Sequence, residues 1–255
     1  MLVRVVKIGG NELDQPAWVS ACAEAVRRAG PVVLVHGGGR AISALCERLA
    51  LPVEKREGIR VTTPEIAAAV EMVLAGPINR QLVAALRGAG LDAIGLAGVD
   101  GGLLTARRVA EPVGHVGEIT AVRASLLESL LLAGLTPVVA PVAPEEGTAS
   151  DALPLNVNAD QAAAAVAGAL RAAELLFVSD VPGVLAAGAT QTEIAVAEIA
   201  GLIAAGVAKA GMAAKLRAAA AALASGTGAV RIGDLTMLER PSAGTRIVTR
   251  IAQPA

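Results

Sequence analysis

Aromatic side chains are almost missing from this chain: its 255 residues include one Trp, one Phe and no Tyr. Stacking platforms for single-stranded nucleic acid need aromatic faces, so that class is excluded. The net charge of −1 leaves no basic footprint for a duplex either. Two cysteines, Cys22 and Cys46, fall in helical patterns outside any CxxC or CxxH spacing, and read as buried, reduced, small apolar residues. Two histidines, His36 and His115, are too few and too far apart for a zinc site.

Lysine is scarce too. Of 22 Lys+Arg residues only Lys7, Lys55, Lys209 and Lys215 are lysine. Where any positive charge would serve, this chain carries Arg, so the remaining lysines are enriched where a compact ammonium is needed. Lys7 and Lys215 both sit beside glycine, in Val6-Lys7-Ile8-Gly9-Gly10 and Gly211-Met212-Ala213-Ala214-Lys215. Genome composition gives the same Arg bias; a phosphate site is the functional alternative.

What the chain has in quantity is Ala, Leu and Val. Hydrophobic residues make up 54% of it, enough for a large aliphatic core in one domain or two lobes. The mean hydropathy is +0.60, yet the richest run, Gln161 to Ala173, is shorter than a membrane span. Met212 to Ala224 is interrupted by Lys215 and Arg217. The apolar start Met1 to Val6 is too short for a signal peptide. The expectation is a cytoplasmic protein without membrane contact.

Strand-like and helix-like segments alternate. Strands are expected at Leu2–Ile8, Pro31–His36, Ala93–Leu96, Pro137–Ala143, Glu174–Val178 and Ala229–Ile232. Helices are expected at Pro16–Ala29, Ala41–Leu49, Pro64–Leu74, Asn79–Ala89, Ser125–Ala133, Ala159–Leu170, Ile194–Ala205 and Met212–Ser225. Gly98 to Gly102 reads as a hairpin-type turn, and Gly183–Thr192 as a flexible loop. Continuous apolar strands between helices predict an α/β fold, a mainly parallel sheet covered on both faces.

Ligands of such sheets bind beyond the carboxyl ends of the strands. Two early strands end in glycine, at Gly9-Gly10 and Gly37-Gly38-Gly39, each followed by a helix. Backbone N–H groups there can cradle phosphate or carboxylate; tight turning alone is the other reading. The Walker motif G-x-x-x-x-G-K-[ST], the protein-kinase motifs and GxGxxG at these turns are all missing. In Asn156-Val157-Asn158-Ala159-Asp160, alternation puts both Asn on one side of an extended segment, with Asp160 opening the next helix. Asp160 either orients Lys7 or Lys215, or caps that helix.

Taken in order, Val6-Lys7-Ile8-Gly9-Gly10, Val35-His36-Gly37-Gly38-Gly39, Gly58-Ile59-Arg60-Val61-Thr62, Leu155 to Asp160, Ser179-Asp180-Val181-Pro182-Gly183-Val184 and Gly211 to Lys215 resemble the amino-acid-kinase family over nearly the whole chain. The Gly-Ile-Arg-Val-Thr and Asn-Val-Asn-Ala-Asp segments are similar to its branch acting on N-acetyl-L-glutamate. The resemblance implies a three-layer αβα sandwich. It also implies ATP- and Mg²⁺-dependent phosphorylation of the side-chain carboxylate of that substrate, the second step of arginine biosynthesis. Residues 1–165 would form the substrate lobe and dimer interface, and 166–255 the ATP lobe.

The resemblance implies roles residue by residue. Lys7 and Lys215 would stabilise the transferring phosphoryl group, with Asp160 organising them. Gly37 and Gly38 would contact the substrate, Arg60 would clamp its α-carboxylate, Asn156 would hold its acetylamino part, and Asn158 would also bind the substrate. Gly9 and Gly10 would contact phosphates. Ser179, Asp180, Val181, Gly183, Val184, Leu185, Lys209, Gly211 and Met212 would line the ATP pocket. The metal would be held by ATP rather than by protein ligands.

A first strand from Leu2 and the sequence Met237 to Thr245 depart from arginine-inhibited members, so a homodimer without arginine feedback is expected. Ala210 stands where relatives often have Gly. Two alternatives remain: a sister kinase acting on 2-aminoadipate linked to an acidic carrier protein in lysine biosynthesis, and a non-catalytic nucleotide-binding relative.

Overall fold

The computed structural model describes residues 2–250 apart from 57, 111, 149–151 and 187. The lobe ends expected at Met1 and at residues 251–255 lie outside the described residues.

The chain runs β1 (Arg4–Ile8), α1 (Pro16–Ala29), β2 (Val32–His36), α2 (Gly39–Arg48), the short antiparallel pair β3 (Lys55–Arg56) and β4 (Ile59–Arg60), α3 (Pro64–Val73) and α4 (Asn79–Gly88). It continues through β5 (Ala93–Leu96), β6 (Leu104–Arg108), β7 (Val116–Val122), α5 (Ala124–Leu132), β8 (Thr136–Val139), β9 (Val142–Ala143), β10 (Leu155–Val157), α6 (Ala159–Ala169) and β11 (Glu174–Val178). The last part holds the pair β12 (Leu185–Ala186) and β13 (Ala189–Thr190), then β14 (Glu193–Ala195), α7 (Ile199–Ala204), α8 (Ala210–Ala224), β15 (Val230–Gly233) and β16 (Thr245–Val248).

An eight-stranded sheet, ordered β14-β16-β15-β11-β1-β2-β8-β5, forms the middle of the molecule. Its neighbours pair in parallel except β15 with β16. The strands are apolar on both faces because side chains alternate with period 2. Val5, Val33, Val35, Leu175 and Phe177 enter one core with α5, α6, α7 and α8. Val6, Ile8, Leu34, Leu176 and Val178 enter the opposite core with α1 to α4. Helices thus cover both faces, giving the expected three layers. A second sheet, β6-β7-β10-β9, packs on the α6 side through Leu104, Ala106, Leu155 and Val157.

Local expectations differ in four places. Gly98 to Gly102 is no hairpin turn: Asp100–Gly102 forms one 3₁₀ turn joining β5 to β6, which belong to different sheets. The apolar stretch Pro137–Ala143 breaks into β8 and β9, again in separate sheets. The helix expected over Ile194–Ala205 begins only at Ile199, because Glu193–Ala195 pairs with β16. Within Gly183–Thr192, expected as a loop, β12 and β13 pair. Between α3 and α4, Leu74–Ile78 forms a wide turn around Pro77, whose missing N–H forbids a continuous helix.

Candidate active site

Side-chain alternation along β1 sends Val6 and Ile8 to the α1 side and Lys7 to the α6 side. Lys7 is only 5% exposed, lying between Val35 of β2 and Phe177 of β11. A buried ammonium needs a counter-charge, and α6 supplies it. Asn158 caps that helix, its side chain accepting from the backbone N–H of Asp160 (2.8 Å) and Gln161 (3.3 Å). The cap is therefore Asn158, which leaves the Asp160 carboxylate free for the lysines. Lys7 Nζ stands 2.7 Å from Asp160 Oδ1, and Lys215 Nζ, from α8, 3.8 Å from Oδ2. Burial lowers the Lys215 pKa most and the Lys7 charge adds to it, while Asp160, Glu12 and Asp180 act in the opposite sense.

The two glycine turns lie at the carboxyl ends of adjacent parallel strands and pack directly on each other. The N–H of Gly37 donates to Ile8 O at 3.0 Å. A β-carbon on Gly10 would lie 2.5 Å from the backbone nitrogen of Gly38, so no side chain fits there. Helix α2 opens from Gly38, adding its N-terminal dipole to the same corner.

Arg60 reaches this corner from β4. It is buried, and its Nη2 donates to Gly39 O (3.0 Å) and to Ser43 Oγ (2.8 Å). Nη1 is also buried and has no partner among the described residues. The Thr62 hydroxyl donates to Arg60 O at 2.8 Å and accepts from Asn156 Nδ2 at 3.2 Å. That chain of contacts ties the β3/β4 pair to the second sheet. Asn156 is thus brought to Arg60. Asn158 serves as a helix cap.

Past β11, Ser179 Oγ donates to Asp180 Oδ1 at 3.1 Å, and Val184 N–H donates to Thr245 Oγ1 at 2.8 Å. A β-carbon on Gly183 would meet Thr190 and Thr245 at 2.6 Å, so this turn too requires glycine. Val181 lies in the same turn and Leu185 is exposed on β12. Lys209 and Gly211 are exposed at the start of α8, next to half-buried Met212. A β-carbon on Gly211 would be 4.0 Å from Lys215 Nζ. Ala210 takes a left-handed φ of +43°, the conformation glycine adopts without strain.

Three contributors escaped the sequence reading. Ser43 supports Arg60 from one turn into α2. Thr245 closes the turn at Val184 from the far end of the chain. Glu12 is 6% exposed, and a β-carbon on Gly9 would lie 2.8 Å from its Oε2. No spacing rule links any of the three to its partner.

A mainly parallel sheet with glycine turns at its strand ends, and a lysine pair on one carboxylate, define a protein of the amino-acid-kinase fold. The chain belongs to the Amino acid kinase family, whose sequence profile matches residues 3–234. Acetylglutamate kinase of Chloroflexus aurantiacus is 47% identical over 248 residues, covering 96% of this chain and 96% of that one. A Streptococcus mutans protein of known crystal structure superposes with a TM-score of 0.86 at 31% identity, over 97% of this chain and 99% of its own. Carbamate kinase of Giardia lamblia, bound to AMP-PNP, shares the fold at a TM-score of 0.72 and 18% identity, over 97% and 98%.

Proposed function

We propose that this protein transfers the γ-phosphoryl group of ATP to the side-chain carboxylate of N-acetyl-L-glutamate. The product is N-acetylglutamyl 5-phosphate, and the step is the second of arginine biosynthesis. One observation carries the reading: Lys7 and Lys215 meet on buried Asp160 at glycine-turned strand ends. It does so in a chain 47% identical to an acetylglutamate kinase along 96% of both lengths.

The chemistry needs no general base, because a carboxylate is already ionised at neutral pH. What remains is positioning and charge neutralisation. Lys7 and Lys215 take the transferring oxygens, and Asp160 fixes both ammoniums. Backbone N–H groups at Gly9 and Gly10 receive the phosphates. Arg60, with Nη1 unpartnered among the described residues, offers a guanidinium edge to the substrate α-carboxylate. Gly37, Gly38 and Asn156 complete the acetylamino-acid site, with Asn158 holding the start of α6. Ser179 to Leu185 and Lys209 to Met212 receive the nucleotide. Among the described residues no cluster of carboxylate, histidine or cysteine side chains makes a metal site, so a divalent cation would be held chiefly by the ATP phosphates. Mg²⁺, when bound, adds charge neutralisation on those phosphates.

Residues 1–165 form the substrate lobe in this reading and 166–255 the nucleotide lobe, so the two lysines come from different lobes. A homodimer accords with the open edge at β5 and with exposed Met72 and Leu132. A cytoplasmic location accords with ATP as substrate and with free, buried Cys22 and Cys46.

ADP release tests the reading. N-Acetyl-L-glutamate should make it at least about a hundredfold faster than free glutamate does. Equal rates with both, or none with either, reject the assignment.

A further inference from the structure

We propose that the Thr62 hydroxyl decides which end of the Asn156 amide faces the substrate, and so makes the site a reader of an amide N–H. The inference rests on the acetylglutamate reading above and deepens it. Thr62 is fully buried, two residues past Arg60 of β4. A hydroxyl has one proton to give and two lone pairs to receive with. The proton goes to Arg60 O, a carbonyl that can only accept, at 2.8 Å. Towards Asn156, 3.2 Å away, Thr62 Oγ1 is therefore left with only an acceptor role. The amide must turn its Nδ2 to Thr62, which leaves Oδ1 for a ligand. Among the described residues no protein group donates to that oxygen.

The backbone keeps this arrangement from slipping. Thr62 N–H donates to Val113 O at 2.8 Å, and His115 N–H donates to Thr62 O at 2.7 Å. Asn156 N–H in turn donates to His115 O at 2.9 Å. The segment 113–115 is thus a spacer that fixes Thr62 against Asn156. A β-carbon on Gly114, where φ is +77°, would collide with Thr62 O, so the close approach requires glycine. With Thr62 closed to solvent, water cannot stand in for the hydroxyl. An acceptor at Oδ1 suits the N–H of an acylated amine. It opposes an ester oxygen in the same place, since neither atom carries a proton. Thr62 is therefore a positioning residue acting through Asn156, and the same hydroxyl steadies the backbone of Arg60.

The probes are N-acetyl-L-glutamate and the acetyl ester of L-2-hydroxyglutarate, in which oxygen replaces the N–H. Dissociation constants are read by calorimetry, so turnover is not needed. The unmodified protein should bind the amide at least about tenfold more tightly than the ester. Thr62→Val keeps the shape of the side chain, loses the hydroxyl and lets the Asn156 amide turn over. It should bind the amide about tenfold more weakly, and the preference over the ester should shrink to about threefold or less. Thr62→Ser, which keeps the hydroxyl, should restore both. A purely structural role for Thr62 would weaken amide and ester alike and leave their ratio where it was.

An unchanged ratio in a folded Thr62→Val protein overturns the inference. So does equal binding of amide and ester by the unmodified protein, a result that needs no variant to fold; it leaves the acetylglutamate reading standing. Failure of the unmodified protein to bind N-acetyl-L-glutamate at all rejects that reading, and the role of Thr62 with it.

Discussion

The ammonium of Lys7 stands 2.7 Å from Asp160 Oδ1 with both residues almost closed to solvent, 5% and 6% exposed. A pair so buried contributes little net stability while intact, yet its rupture leaves a charge stranded. Asp160→Asn should therefore cost about 3 kcal/mol in urea unfolding. It should also lower kcat at least about a hundredfold, or ~2.7 kcal/mol of transition-state stabilisation. Lys215→Ala should reduce kcat by a similar factor. The double variant Lys7→Met/Asp160→Leu should recover stability and stay inactive.

Arg60 offers a second test. Its Nη2 is spent on Gly39 and Ser43 while Nη1 has no partner among the described residues. Lysine carries a charge but not the fork. Arg60→Lys should raise KM for N-acetylglutamate at least about tenfold, equivalent to ~1.4 kcal/mol, and leave KM for ATP alone. A parallel rise in both would remove Arg60 from the acetylamino-acid site.

His36 makes the fold acid-sensitive. In this fully buried ring Nδ1 lies 3.0 Å from Gly37 O and Nε2 lies 3.2 Å from Asn79 Nδ2. The neutral tautomer with a proton on Nδ1 satisfies both; a second proton on Nε2 would face the Asn79 amide donor. Burial pushes the His36 pKa down from 6.5 to about 4. The unfolded chain binds this proton first, so stability is fully present above pH 6.5 and falls as pH drops toward 4. The loss should approach about 3 kcal/mol. Urea midpoints at successive pH values check this, and His36→Gln should flatten the slope.

Ala210 carries a left-handed backbone, φ +43°, directly before Gly211. Ala210→Gly relieves that strain at some entropic cost, and should stabilise the protein by about 0.5–1 kcal/mol. Thermal unfolding decides; a lower Tm would mean the strain is not there.

The middle of the sheet was legible in the sequence because its strands are apolar without interruption. Helix Pro16–Ala29 and strand Glu174–Val178 fall at the expected residues. The second sheet was not legible: Leu104–Arg108 carries two arginines and Val116–Val122 is half exposed, so neither reads as a buried strand. Ile194 and Ala195 share helical spacing with the apolar residues of α7, but pairing with β16 overrides it. In the site, Lys7 and Lys215 could be named because lysine is scarce and glycine stands near both, and Asp160 because it follows the Asn156–Asn158 segment at the start of a helix. The meeting of the two lysines on one carboxylate depends on β1, α6 and α8 packing together, which no local pattern encodes.

The most direct measurement is acyl-phosphate formation, trapped as the hydroxamate, with ATP, Mg²⁺ and separately N-acetylglutamate, glutamate, aspartate or N-acetylaminoadipate. Hydroxamate is expected with N-acetylglutamate, together with its loss in Lys7→Ala. No product with any of the four, or product from N-acetylglutamate that survives in Lys7→Ala, would contradict the assignment of this site to phosphoryl transfer.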